Sequence, residues 1–426
     1  MSPVSRGRKP KKGKKPPARS TNSGWAKPAK RVSGDPSPGF RSPPKEFPES
    51  LIDRPQWWKP SLERLIAASS GLLAAQGPRA LEQATADLVG GELYRALREE
   101  RSGLPRFDVW AIELVYGAVN RMLEAASQGG DAWRGPWWLL HGLAAVGSFG
   151  LEGLAREKIS RAADSLPSDI LDAEPTWLKL LPDIMVTGDL LVMRDLSGTR
   201  FGVIANFCYP GDVDPSVYLL DIDACGFATL AGAGVFDDPD QGAAAWRSRV
   251  GDSAGELAPG PLTAEAVACL VWSERQVPFF QTDASPDQMD NWFRGPRRIH
   301  EILTALRERG VVLPEFDPLH RDIDHRPMAD SFARWCAERH RREPGREAVE
   351  GLAWEWLQGM QRGTEYAVSP HRSEIFLEYI RDWGDDAVTD EALALIPEWV
   401  RWIGEQAGIP VPLTDQAVHA AAANPR

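Results

Sequence analysis

The stretch LLVMRDLSGTRFGVIANFCYPGDVDPSVYLLDID, residues 190–223, decides the fold class because its apolar side chains recur with a period of two. The alternation runs through residues 201–208 and again through 217–224, as expected for strands with one face on a core. A Ser-Gly pair and a Pro-Gly pair divide the stretch as turns. Another strand is expected at 227–230, with a continuation to 236. The short connections predict an antiparallel meander of about four strands.

The sequence on both sides of this meander has the periodicity of amphipathic helices. Farther along, Ser369-Pro370 is a favourable helix start, since Ser caps a helix and Pro fits its first turn. We therefore predict an α+β protein, mainly α-helical, with one small antiparallel β-meander in the middle of the chain. The predicted units are a disordered basic Pro-rich tail (1–50), a helical domain (51–166), the β-meander plus a helix (183–250), a mixed connecting region (251–327) and a C-terminal helical domain (328–426).

Charge is distributed very unevenly along the chain. The protein has 49 basic and 60 acidic residues and a net charge of −11. Residues 1–45 hold 13 Lys and Arg and one acid, Asp35, which leaves 36 bases and 59 acids in the rest. The tail therefore carries +12 and the remainder −23. This composition predicts a disordered tail that binds nucleic acid or another polyanion, with a purely solubilising role as the alternative.

The four cysteines, at positions 208, 225, 269 and 336, are widely spaced. Because no Cys-x-x-Cys pair is present, the sequence predicts neither a zinc ribbon nor a thioredoxin-type motif. So few dispersed cysteines in a chain of 426 residues do not make a disulfide framework. We expect reduced, mostly buried thiols, and therefore a cytoplasmic protein. No secretory signal precedes the folded part, since Lys-Pro and Ser-Gly sequence continues to residue 50.

The most membrane-like stretch is PWWLLHGLAAVGSFGL, residues 136–151. It is shorter than the roughly 20 residues that a membrane span needs, and charged residues follow at once. The stretch therefore predicts a buried core helix, in which Gly142 permits close helix packing, and no membrane insertion. The chain is rich in tryptophan, with 17 residues, and we expect most of them to anchor helix packing in the cores.

Two glycine motifs match functional patterns but stand in the wrong context. Residues 251–255 read G-x-S-x-G, yet a nucleophile elbow needs a strand before the serine, and a helix is expected there. Gly232-Ala233-Gly234 resembles the start of a dinucleotide fingerprint, but Asp237 stands where the third glycine is needed. We expect neither a catalytic Ser253 nor a bound cofactor.

Acidic and histidine residues cluster at two places. Asp221 and Asp223 share one face of a predicted strand, where they can form a polar rim or bind a cation loosely, although no calcium-loop register fits. The densest set of metal-ligand types is a proline-bounded run of five residues, Asp317, His320, Asp322, Asp324 and His325. Zinc or iron would suit these residues, but their spacing matches no known site, and a solvated loop is the expected structure. We assign no catalytic, cofactor-binding or metal-binding residue.

Several segments together resemble a group of uncharacterised actinobacterial proteins. They are SRGRKPKKGKK (5–15), GDLLVMRDLSGTRFGVIANF (188–207), SVYLLDID (216–223), SPHRSEIFLEYIRDW (369–383) and PEWVRWIGEQAGIP (397–410). The resemblance implies a basic N-terminal tail, a central small β-meander and a helical C-terminal region. That group has no established activity, so the resemblance implies no function.

These observations favour a non-enzymatic cytosolic binding or adaptor protein with a polyanion-binding tail, and they allow a protein partner as well. The alternative is a metal-dependent hydrolase that uses the loop from Asp317 to His325. The choice between them rests on chemistry that the sequence does not display, because a catalytic group can be assembled from residues that are distant in the chain.

Overall fold

A computed structural model describes residues 55–422, except for 100–106, 149, 212, 276–284, 316–323, 342, 359, 362 and 385–386. The chain divides into two units, Met1–Arg54 and Pro55–Arg426, of which the second is described below. The predicted disorder of residues 1–50 lies outside the described residues.

The described residues contain one antiparallel sheet in the middle of the chain, as predicted, and it has five strands where about four were expected. Its strands are β1 (Met185–Arg194), β2 (Arg200–Tyr209), β3 (Val213–Asp223), β4 (Thr229–Phe236) and β5 (Gly260–Pro261). The spatial order is β4-β3-β2-β1-β5, so the first four strands form a simple meander. The alternation did not predict β5, because two residues are too few to display a period. This strand pairs with Leu191 and Val192 at the edge of β1.

Helices precede the sheet. They are α1 (Trp58–Ala68), α2 (Pro78–Glu99), α3 (Phe107–Gln128), α4 (Arg134–Val146), α5 (Leu151–Ala163) and α6 (Ser168–Asp172), with 3-10 helices at Ser69–Ala74 and Thr176–Asp183. The membrane-like stretch forms α4, which is buried from Gly135 to Val146. The helix ends at Val146 because its C-cap, Gly147, is extended with ψ 138°, and the chain then turns through Gly150, with a left-handed φ of 86°, into α5. Among the described residues, no helix combines the length and apolarity that crossing a membrane requires.

Helices also follow the sheet. They are α7 (Pro239–Val250), α8 (Ala264–Arg275), α9 (Pro286–Asp290), α10 (Arg294–Glu308), α11 (Arg326–His340), α12 (Arg346–Leu357), α13 (Pro370–Arg381), α14 (Ala387–Ala407) and α15 (Val411–Ala422), with a 3-10 turn at Gly251–Ala254. The fold is thus α+β and mainly helical, which confirms the predicted class.

The sheet is covered on both faces, because alternate side chains of its strands enter different cores. Phe201, Val203 and Ile222 point to one face and pack with residues of α8 and α10. Ile204 and Leu219 point to the other face, which α7 covers. A separate aromatic core joins α11 to α15, and its centre consists of Phe332, Trp356, Phe376, Trp399 and Trp402. The tryptophans therefore act largely as packing anchors, as expected.

Candidate functional site

The chain after β3 turns back and meets the first turn of α13 at one end of the sheet. The backbone N–H of Cys225 donates to Asp223 Oδ1 at 2.8 Å. A carboxylate that binds the backbone two residues onward stabilises a tight turn, which explains why β3 ends here. The N–H of Ala224 completes the turn by donating to the carbonyl of Thr199 at 2.8 Å. Asp223 and Cys225 are therefore held by backbone geometry.

The opposite side of this junction is built by the helix start that the sequence predicted. Ser369 caps α13, since its Oγ accepts from the N–H of Arg372 at 3.3 Å, and Pro370 occupies the first turn. The segment before the cap lies on the β1–β2 turn, where the N–H of Val368 donates to the carbonyl of Ser197 at 3.0 Å. This docking brings His371 to the end of β3.

Asp223, Cys225 and His371 form what we call the Asp–Cys–His cluster. His371 Nδ1 lies 3.0 Å from Asp223 Oδ2, although the two residues are 148 positions apart in the chain. Cys225 Sγ lies 3.2 Å from the hydroxyl of Ser369. One ligand atom of each of the three residues lies within 4.8 Å of the others. A carboxylate oxygen, a thiol sulfur and an imidazole nitrogen, all possible metal ligands, thus lie close together.

The protonation of the cluster follows from its burial and its internal bonds. Burial, assisted by the neighbouring carboxylate, raises the pKa of the Cys225 thiol well above its ordinary value. The hydrogen bond to Asp223 raises the pKa of the half-exposed His371. Burial opposes ionisation of Asp223, but His371 and Arg200 outweigh it and hold the pKa of this carboxyl below its ordinary value. The resting cluster therefore has a protonated thiol beside a hydrogen-bonded imidazole and carboxylate, each of which favours the charged form of the other.

This arrangement is not that of an activated cysteine nucleophile. Nucleophilic cysteines are partly exposed and have a lowered pKa, whereas Cys225 is 5% exposed and its pKa is raised. Nδ1 of His371 donates to Asp223. The same three side chains are, however, common ligands of zinc, because a bound metal ion displaces the thiol proton.

Arg372 borders the cluster as a deeply buried cation. Its guanidinium lies 3.9 Å from the centre of the Trp356 ring and donates to the carbonyls of Thr364 and Trp356 at 3.0 and 3.1 Å. Burial lowers the pKa of Arg372 to about 9. The carbonyls and the ring fix this side chain in the joint between α12 and α13.

Asp221 shares a strand face with Asp223, as predicted, but it is not a free cation ligand. Arg200 donates Nε to Asp221 Oδ1 at 3.2 Å, and the indole of Trp246 donates to the same oxygen at 3.1 Å. Arg249 lies 3.7 Å from the other oxygen. The carboxylate is completely buried among these groups. Its negative charge therefore compensates the charges of Arg200 and Arg249.

The structure places the two glycine motifs in ordinary structural contexts. Ser253 lies in the 3-10 turn after α7, and its carbonyl accepts from the N–H of Leu196 at 2.6 Å. Gly232 and Gly234 lie within β4, opposite residues of the antiparallel neighbour β3. A phosphate-binding loop needs free backbone N–H groups at a helix start, which a paired strand does not offer.

The loop singled out as the densest set of ligand types is only partly described. Asp317, His320 and Asp322 lie outside the described residues. Asp324 is exposed and accepts from Nε of Arg326 at 2.8 Å, a bond that lowers its pKa. His325 occupies the N-cap position of α11.

A second buried polar cluster joins the N-terminal helices to the sheet. Glu82 of α2 accepts from the hydroxyls of Tyr209, at 2.6 Å, and Tyr218, and it pairs with Arg298 of α10 at 2.7 Å. Burial would raise the pKa of Glu82, but Arg298 and Arg294 outweigh it and lower the pKa. With Glu82 and Arg298 almost fully buried, this ionic cluster connects three parts of the fold.

Sequence reasoning missed the Asp–Cys–His cluster because His371 belongs to a different element. It recognised Asp223 as part of a strand face and Ser369 as a cap, which are the two local signals available. Searches against protein families, curated proteins and solved structures found no match for this chain.

Proposed function

We propose that this protein is a cytosolic binding or adaptor protein without catalytic activity, whose basic N-terminal tail captures a polyanion. The observation that carries the proposal is the charge distribution, +12 over residues 1–45 against −23 over the remaining 381. A segment this basic attracts phosphate-rich or sulfate-rich polymers, while an acidic body repels them. We therefore place the polyanion site in the tail.

The geometry of the described residues supports binding over catalysis. The thiol of Cys225 is buried and protonated. Ser253 follows a helix, where the nucleophile elbow needs a strand. The glycines of the dinucleotide-like motif are strand residues. Each pattern that suggested chemistry in the sequence thus has a structural role where it is described.

Nucleic acid is the polyanion class that we favour, because its regularly spaced phosphates match a segment dense in Lys and Arg. Such binding depends on charge and not on base sequence, since the tail offers few aromatic side chains for stacking. The aromatic residues of segment 1–45 are Trp25 and Phe40. The proposal therefore predicts similar affinity for unrelated sequences of equal length.

The test compares three full-length proteins in binding to fluorescent single-stranded and duplex oligonucleotides at low salt. In one variant every Lys and Arg of residues 1–45 is replaced by Gln, and in a matched control every Arg of that segment is replaced by Lys. We expect the Gln variant to lose binding and the Lys variant to keep it. Undiminished binding by the Gln variant would place the site in the body and overturn the proposal.

The described end of the Asp317–His325 loop does not favour the hydrolase alternative. Asp324 is exposed and engaged by Arg326, and His325 begins a helix. We therefore make no proposal of catalysis at this loop.

A further inference from the structure

We propose that Asp223, Cys225 and His371 bind one divalent transition-metal ion, zinc by the chemistry of the donors, which links the end of β3 to the first turn of α13. The site lies in the body of the protein and is independent of the tail, so the inference goes beyond the proposed function. It assigns a ligand to the place where the end of β3 meets the first turn of α13. Neither the strand pattern nor the helix pattern of the sequence predicts that these three side chains meet there.

The distances within the cluster suit such an ion. Zinc binds sulfur at about 2.3 Å and nitrogen or oxygen at about 2.0–2.2 Å, so neighbouring ligands of a tetrahedral ion lie roughly 3.3–3.6 Å apart. The three donor atoms lie within 4.8 Å of one another, and Asp223 Oδ2 and His371 Nδ1 are 3.0 Å apart. Closing on an ion therefore requires the most widely spaced donor atoms to approach one another by about 1 Å.

The donor set and its supports are those of a zinc site. A carboxylate, a thiol and an imidazole supply one ligand each, and three protein ligands leave a fourth position for water. The N–H of Cys225 holds Asp223 Oδ1 at 2.8 Å, which orients the other carboxylate oxygen toward His371. Such outer bonds fix ligands at metal sites. The hydroxyl of Ser369, 3.2 Å from Sγ, borders the same space, and the half-exposed imidazole gives an ion access from solvent.

The basic residues around the cluster do not prevent binding of a cation. Arg200 makes its hydrogen bonds to Asp221 and lies 4.0 Å from Asp223 Oδ2, and Arg372 is held by carbonyl groups and by the ring of Trp356. A divalent ion that binds here displaces the thiol proton of Cys225 and any proton on the ligating nitrogen of His371, and the displaced protons pass to solvent.

The experiment uses Co²⁺ as a probe on full-length protein that has been stripped with a chelator. Thiolate-bound cobalt gives a charge-transfer absorption in the near ultraviolet, and tetrahedral cobalt gives intense visible bands. We expect both signals to saturate at one ion per chain and to disappear when Zn²⁺ is added. Zn²⁺ should also raise the melting temperature of the wild-type protein.

Two ligand variants and two controls decide the assignment. Cys225→Ser should abolish the charge-transfer absorption, and His371→Asn, at a half-exposed position, should weaken cobalt binding by at least about tenfold. Cys336→Ser changes another buried thiol, and Asp324→Asn changes the other candidate loop, so both should keep the wild-type spectrum. Circular dichroism of the metal-free proteins verifies folding.

Absence of saturable cobalt binding, or binding without a thiolate signal, would overturn the proposal and identify the cluster as a hydrogen-bonded joint. The same conclusion would follow if Cys225→Ser or His371→Asn retained the wild-type spectrum, or if Asp324→Asn lost it. The Gln-tail variant should bind cobalt normally, so failure of the metal site and failure of the polyanion proposal are separate outcomes.

Discussion

At the residue scale, the protein tolerates buried charge only where each charged group has strong partners. Glu82 illustrates this, because it accepts hydrogen bonds from two tyrosine hydroxyls and forms an ion pair with Arg298 in a buried position. A buried ion pair adds little over an apolar pair, but removing one partner leaves an uncompensated charge. The strongest residue-scale effects should therefore come from single substitutions within these clusters.

Replacing Glu82 by Gln should destabilise the protein by about 3–5 kcal/mol, because Arg298 would lose one of the two carboxylates, Glu82 and Glu301, with which it pairs among the described residues. Urea unfolding followed by tryptophan fluorescence measures the change. The control is Glu63→Gln, in an exposed pair with Lys59, which should cost less than about 1 kcal/mol. Equal effects of the two substitutions would contradict the assigned role of the buried cluster.

Asp290 should make stability depend on pH. Burial, with the nearby Asp87, raises its pKa to about 7, against an ordinary value of 3.8. Because the folded pKa is raised, the unfolded state loses its proton first, and folding becomes less favourable as pH rises from about 4 to about 7. Below that window the residue has no effect, and above it the penalty is constant.

Asp290→Asn removes this ionisation, so the stability gained over wild type should be larger at pH 8 than at pH 5. Melting temperatures of both proteins across the range measure the effect. Arg294 opposes the shift and Asp287 adds to it, so both residues must be left intact. A stability difference that is the same at the two pH values would show that Asp290 ionises normally in the folded protein.

At the element scale, the sheet was predictable and its contacts with helices were not. The apolar alternation in residues 201–208 and 217–224 predicts two strands, because successive side chains of a strand point to opposite faces of the sheet. The helix start at Ser369 was also local and was confirmed. The approach of His371 to Asp223 spans 148 positions and depends on how α13 docks, which no local pattern encodes.

The packing of α4 on α2 depends on the absence of a side chain at Gly142, in agreement with the expectation of close packing. A Cβ placed there would lie 2.0 Å from Oγ1 of Thr85. Gly142→Ala should therefore force the helices apart and cost about 1–3 kcal/mol in unfolding free energy.

The matched substitution is Gly153→Ala on α5, where an added Cβ meets no atom within 4 Å. This change should stabilise the protein by about 0.5–1 kcal/mol, since alanine favours a helix over glycine. Urea titration of both variants measures the pair. A loss of stability from Gly153→Ala as large as that from Gly142→Ala would contradict the packing argument.

At the scale of the whole molecule, the dominant feature is the separation of a +12 segment from a −23 remainder. The sequence displays this separation directly, because charge is additive along the chain. It does not display the Asp–Cys–His cluster, because that site exists only once the sheet and the C-terminal helices have packed together. The charge distribution of this chain can thus be predicted from its sequence, whereas a site built from residues of different elements cannot.

The central claim is that the tail binds polyanions through its charge, and the salt dependence of binding tests it most directly. Full-length proteins with one third, two thirds and all of the Lys and Arg in residues 1–45 replaced by Gln are titrated with duplex DNA at several salt concentrations. The slope of log K against log salt should decrease by about 0.9 for each phosphate contact removed and should vanish in the last variant. A slope that stays at the wild-type value across the series would contradict the account.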